Sequence, residues 1–108
     1  MKIPKRFRLL GMIIDVVLVP TLSHKEDVSG FAIYRQNKIE IQPCVDGCPR
    51  TPDQIGHTFC HELMHFIFYF AAEGEHKDLH RDELLVNRCA GLLHQALTTM
   101  EYEEATDD

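Results

Sequence analysis

Residues 51–74 read TPDQIGHTFCHELMHFIFYFAAEG, and this stretch decides the fold. Its start is written in capping chemistry: Thr51 suits an N-cap, Pro52 the first helical position, and Gln54 completes a capping box. Gly74 is a stop signal, so a helix is expected from there to about Glu73. Its faces separate. Phe59, Leu63, Phe66, Ile67 and Phe70 share one side as a core stripe, while His57, His61, His65, Phe68 and Ala72 share the other. A helix divided in this way has one face in a core and the other lining a cleft.

The cleft face carries His61-Glu62-Leu63-Met64-His65. Residues four apart on a helix lie one above the other, so His61 and His65 can offer two imidazole nitrogens to one metal ion. Glu62 projects about 100° around the axis from His61, within reach of a water on that ion without being a ligand. Two ligands and one base form the HExxH division of labour of hydrolytic zinc sites.

A catalytic zinc usually keeps three protein ligands and a water. The extended pattern with a third histidine ten residues after the first is excluded, because Ala71 stands there and Phe68 takes its glycine position. The best-placed third ligand is Glu83, near the start of a second helix expected from about Asp82 to Met100. A helix–loop–helix turn of this length can fold that start back against the middle of the first helix. Asn87 lies one turn on, on the same face, where its side-chain oxygen can orient a ligating imidazole. Ala90 and Gly91 are small enough for the helices to approach closely. Asp82, His80 and His76 compete for the third-ligand position. His57 reads as a cleft-lining or exposed histidine, and His24 and His94 as ordinary polar residues.

The rest of the chain supplies a small scaffold. With 108 residues, 44% of them hydrophobic, it is one domain, 1–108, with one modest core. The net charge of −6 argues against nucleic acid as a partner. Part of the acidic excess lies in a tail, residues 101–108, expected to fray. Lys2, Lys5, Arg6 and Arg8 precede an apolar run from Leu9 to Val19, superficially like a signal peptide. Asp15 interrupts that run, no small-x-small cleavage site follows, and it is too short to span a bilayer as a helix. It reads as a strand, and the protein as cytoplasmic, with no membrane partner.

Phe31–Arg35 and Lys38–Gln42 read as two short strands around a tight Gln36-Asn37 turn. Three strands then two helices imply an α+β fold: a three-stranded antiparallel meander, the HExxH helix and a second packing helix. That second helix has Leu85, Val86, Cys89, Leu92, Leu93 and Leu97 as its apolar positions. Lys38–Gln42, just before the zinc helix, is expected to be a sheet edge that pairs with an extended substrate. Cys44, Cys48, Cys60 and Cys89 default to thiols in a cytoplasmic protein, with Cys60 and Cys89 packing as small apolar residues. Cys44 and Cys48 leave a local disulfide or a second zinc site as alternatives.

These residues resemble the gluzincins, zinc peptidases with HExxH on one helix and a glutamate ligand on a later one. Glu83 to Leu93 is similar to the E-x3-N-x2-A-x2-L-L stretch of the small ImmA/IrrE-type metallopeptidases of bacteria, phages and mobile elements. Larger gluzincins often carry aspartate where Asn87 stands. The resemblance covers roughly residues 30 to 97. It implies a zincin-like core, Zn2+ as cofactor, His61, His65 and Glu83 as ligands, Glu62 as general base, and a peptide or protein substrate. For the oxyanion-stabilising group it leaves Tyr69, His76, His80 and Tyr102. A rival expectation is a non-catalytic zinc-binding interaction or regulatory module. Substrate, cleavage specificity, pathway and oligomeric state are not written in the chain.

Overall fold

The computed structural model describes residues 1–22, 29–72 and 74–103. His24, Glu73 and residues 104–108 of the acidic tail lie outside the described residues, and the helix expected to run to about Glu73 ends earlier, at Ala71. Among the described residues the architecture is α+β: a four-stranded mixed sheet, a small two-stranded hairpin and two long α-helices.

The apolar run 9–19 is not one strand. β1 (Arg6–Leu9) and β2 (Met12–Leu18) form a hairpin whose turn residues Leu10 and Gly11 both have positive φ, +49° and +76°. Two consecutive residues of that kind make the type I′ turn favoured between antiparallel strands. Leu10 hid the turn by its β propensity, and it is 80% exposed at the tip. Upstream, Arg6-Phe7-Arg8-Leu9 alternates exposed with half-buried side chains, the pattern of a half-covered strand.

β3 (Gly30–Ile33) and β4 (Lys38–Ile41) follow, joined through a 3₁₀ turn over Tyr34–Gln36. That turn shortens the strand expected to reach Arg35. Asn37 then takes the left-handed conformation at φ +48°, as its side chain allows. The expected antiparallel meander does not form. The sheet order is β1-β2-β4-β3, with β2 and β4 parallel and Asp15 opposite Lys38. β4 therefore lies inside the sheet, and the edges are β1 and β3. The expectation that Lys38–Gln42 is the edge is corrected accordingly. Ile39 and Ile41 are fully buried, and such side chains gain most in an interior strand covered by a helix.

β5 (Cys44–Val45) and β6 (Cys48–Pro49) form the small hairpin, with Cys44 opposite Pro49 and Val45 opposite Cys48. Cys44 and Cys48 thus fall on opposite faces, because side chains alternate along a strand. All four cysteines are free thiols.

α1 (Pro52–Ala71) begins with the expected capping box: Gln54 N–H donates to Thr51 Oγ1 at 3.1 Å and Thr51 N–H to Gln54 Oε1 at 2.9 Å. α2 (Glu83–Thr99) is capped by Asp82, whose Oδ1 accepts from Leu85 N–H at 3.1 Å. α1 lies against β3 and β4 and α2 packs on α1, and Ile14, Ile39, Ile41, Phe59, Cys60, Phe66 and Ala90 form the core. Two α2 positions differ from expectation. Leu92, expected on the buried face, is 68% exposed, whereas His94, expected to be an ordinary polar residue, is buried. Its ring occupies space left by the missing side chain of Gly56.

Gly30 joins the edge strand to the helix. A Cβ there would stand 2.5 Å from Thr58 Cγ2 and 3.1 Å from Glu62 Cγ, so only glycine lets β3 lie this close to α1. Gly30→Ala is expected to destabilise the protein by about 1–3 kcal/mol through overpacking, measured by urea unfolding. A loss below about 0.5 kcal/mol would show that strand and helix separate freely.

Candidate metal centre

α1 and α2 meet where three ligand-type side chains converge. His61, His65 and Glu83 can each present one donor atom so that all three lie within 4.8 Å of one another, a group that could hold a metal ion. Glu83 Oε2 is 3.4 Å from His61 Nε2 and its Oε1 is 3.2 Å from His65 Nε2. The sequence placed Glu83 here by its position at the start of the second helix, and the fold returns that start to the middle of α1.

The competing residues Asp82, His80 and His76 do not join this group. Asp82 is spent as the α2 cap. His76 is exposed. His80 contributes its backbone: its carbonyl oxygen lies 2.7 Å from His65 Nδ1. Nδ1 therefore carries the proton and donates, which leaves Nε2, 3.2 Å from Glu83 Oε1, as the nitrogen that can face a metal ion. Metal-binding histidines commonly have their second nitrogen fixed in this way. Sequence reasoning assigned the orienting role to Asn87. Asn87 does line the cleft, but a backbone carbonyl bears no residue-type signal and could not have been found.

The triad forms part of the wall of a cleft of about 720 Å³, which Ser29, Gly30, Phe31 and Ala32 of the edge-strand segment line opposite α1. Arg50 fixes the two walls together. Its guanidinium donates to the carbonyl oxygen of Gln42 at 2.8 Å and to Thr58 Oγ1 at 2.6 Å, joining the chain after β4 to α1. His57 lines the cleft and is exposed, as its position one turn before His61 suggests.

Glu62 also faces the cleft and is only 6% exposed. Burial, reinforced by the charge of Glu83, pushes its carboxyl up to about 8. That value describes the metal-free chain, and a cation beside it would favour the carboxylate and lower it.

Tyr34 is the cleft residue that sequence reading missed. It sits in the 3₁₀ turn after β3, its ring stacked on Tyr69 at 4.3 Å and its edge close to His80. Burial, with the charges of Glu62 and Glu83, raises its phenol to about 12, so it stays protonated near neutrality. Of the residues expected as oxyanion stabilisers, Tyr102 is 81% exposed and His76 lies outside the cleft lining. Tyr69 and His80 instead pack against Tyr34. Tyr34 was overlooked because it sits in sequence at the end of a strand, with no motif around it.

The donor set fits a divalent d-block cation: two imidazoles with one carboxylate, one imidazole already oriented. Glu83→Ala is expected to weaken cation affinity at least a hundredfold, read by competition with a chromophoric chelator. His80→Ala keeps the backbone carbonyl and should change it less than threefold, and the reverse ranking would move the third ligand to His80. In the metal-free chain, the folded state retains a proton on Glu62 that the unfolded state gives up near 4.5. The resulting stabilisation is complete below about pH 4.5 and is lost as pH rises to about 8. Glu62→Gln should remove this dependence and raise metal-free stability at pH 8 by up to about 4 kcal/mol, measured by urea unfolding with chelator present. Parallel pH profiles for the two proteins would contradict the burial argument.

The chain matches no protein-family model, no curated protein and no solved structure. Among the described residues, no helix is long and apolar enough to cross a membrane.

Proposed function

We propose that this protein is a zinc-dependent metallopeptidase of gluzincin type, hydrolysing peptide bonds in an extended substrate. The observation that carries this reading is the convergence of His61, His65 and Glu83 beside the buried Glu62 at one cleft. The same donor set also holds iron in oxygenases, but a buried carboxylate one residue from a ligand supports hydrolysis, which needs a proton acceptor beside its water.

Zinc held by His61 Nε2, His65 Nε2 and a Glu83 carboxylate oxygen would supply Lewis-acid activation of a water and of the scissile carbonyl. Glu62 takes the proton of the attacking water on its carboxylate and returns it to the leaving amine nitrogen. The Tyr34 hydroxyl, protonated at neutral pH, donates a hydrogen bond to the oxygen that gains charge as the carbonyl becomes tetrahedral. His80 holds the His65 ring through its backbone carbonyl.

The substrate track is β3. Gln42 N–H donates to Ser29 C=O at 2.9 Å, and the antiparallel alternation then turns the N–H and C=O of Gly30 and Ala32 outward. Those groups can pair with an extended peptide laid along the edge above the triad.

Activity on a library of unfolded proteins tests this reading. Zinc-loaded wild type should cleave. Glu62→Gln should bind zinc normally and lose at least a thousandfold in kcat. Tyr34→Phe should lose about tenfold to a thousandfold in kcat with KM nearly unchanged. Zinc-loaded wild type and Glu62→Gln that are equally inert would overturn the proposal in favour of a non-catalytic zinc-binding module.

A further inference from the structure

Glycine in a helix interior is disfavoured relative to alanine, and Gly56 lies inside α1. What occupies the space above it is specific. A Cβ there would meet Met1 Cγ at 2.8 Å, His94 Nε2 at 3.2 Å and Met1 Sδ at 3.4 Å. One turn further along α1, Cys60 Sγ contacts Met1 Sδ at 3.9 Å, and Cys60 is fully buried. A thioether, a thiol and an imidazole thus gather where the N-terminal segment meets both helices.

The imidazole is the anomaly. His94 is 8% exposed, and its Nε2 has no hydrogen-bond partner among the described residues. Asp53 Oδ1 stands 3.5 Å away but misses hydrogen-bond geometry, and the Asp53 side chain is largely in solvent. The His57 ring packs edge-on against His94 with centroids 5.5 Å apart. Buried polar atoms are nearly always satisfied, and one that is not points to a missing partner such as an ion.

We propose that Met1 Sδ, Cys60 Sγ and His94 Nε2 form a second metal site, specific for a soft monovalent cation of the Cu(I) class. Thiolate and thioether ligands select such ions over hard dications. Metal–thiolate bonds run to about 2.3 Å at zinc, so two sulfurs 3.9 Å apart are close enough to share one ion. The ion takes the place of the Cys60 thiol proton, which passes to solvent, and supplies the partner that Nε2 lacks. The site uses none of the three cleft ligands and so stands whether or not the protein is a peptidase.

Anaerobic titration of the full chain with Cu(I), against a chromophoric Cu(I) chelator, tests this. Wild type and the double variant His61→Ala/His65→Ala should each take up about one equivalent at the same high affinity. Cys60→Ser should bind at least a hundredfold more weakly, and His94→Gln and Gly56→Ala at least tenfold. Binding that survives Cys60→Ser or His94→Gln, or that disappears with the cleft histidines, would overturn the proposal. Copper X-ray absorption on the wild type is independent of whether any variant folds. Two sulfur scatterers and one nitrogen are expected, and a nitrogen–oxygen shell without sulfur would refute the site.

Discussion

The carboxylate of Glu83 touching both imidazoles of α1 is the interaction on which the site depends. His61 and His65 are neighbours by helical geometry alone, and a helix on its own can do no more than present them. The third donor must come from elsewhere, held at the right height. The chain achieves this with a short connection. The 3₁₀ turn Leu79–Arg81 leads into Asp82, which caps α2. Glu83 then falls on the first helical residue, and its side chain spans the gap. The same turn delivers the His80 carbonyl to His65 Nδ1. One local conformation therefore places a donor and orients another.

The sheet serves this arrangement from the other side. β4 is buried and central, so β3 is left as the edge that faces the cleft. Gly30 permits that edge to lie against Thr58 and Glu62. The close approach keeps Glu62 out of water, and burial raises its proton affinity in the metal-free chain. Arg50 ties the chain after β4 to α1 through Gln42 and Thr58, so the cleft width is set by hydrogen bonds as well as packing. Proximity of strand, base and triad is the common physical requirement.

The helical half of the molecule was legible because its signals are local. Thr51, Pro52 and Gln54 mark the start of α1, and the three-and-four spacing of Phe59, Leu63, Phe66 and Phe70 marks its core face. His61, Glu62 and His65 follow from that geometry, and Glu83 from the return of the second helix. The sheet half was less legible. Leu10 looks like a strand residue yet forms the hairpin tip, and nothing local distinguishes a meander from the order in which β4 inserts between β2 and β3. Pairing order is set by which apolar strand gains most from burial, here Ile39 and Ile41, and that depends on the helix above. Tyr34 and the His80 carbonyl were invisible for a related reason: one lacks a motif and the other lacks a side-chain signature. His94 was misread because its burial depends on an absent atom at Gly56.

The central claim is that α1 and the first residue of α2 grip a zinc ion together. Crystals of protein purified without chelator, measured on both sides of the zinc absorption edge, test it most directly. The account predicts one anomalous peak bonded to His61 Nε2, His65 Nε2 and a Glu83 carboxylate oxygen at about 2.0–2.2 Å. A map with no zinc signal at these three side chains, from protein that also fails to take up added zinc, would contradict it.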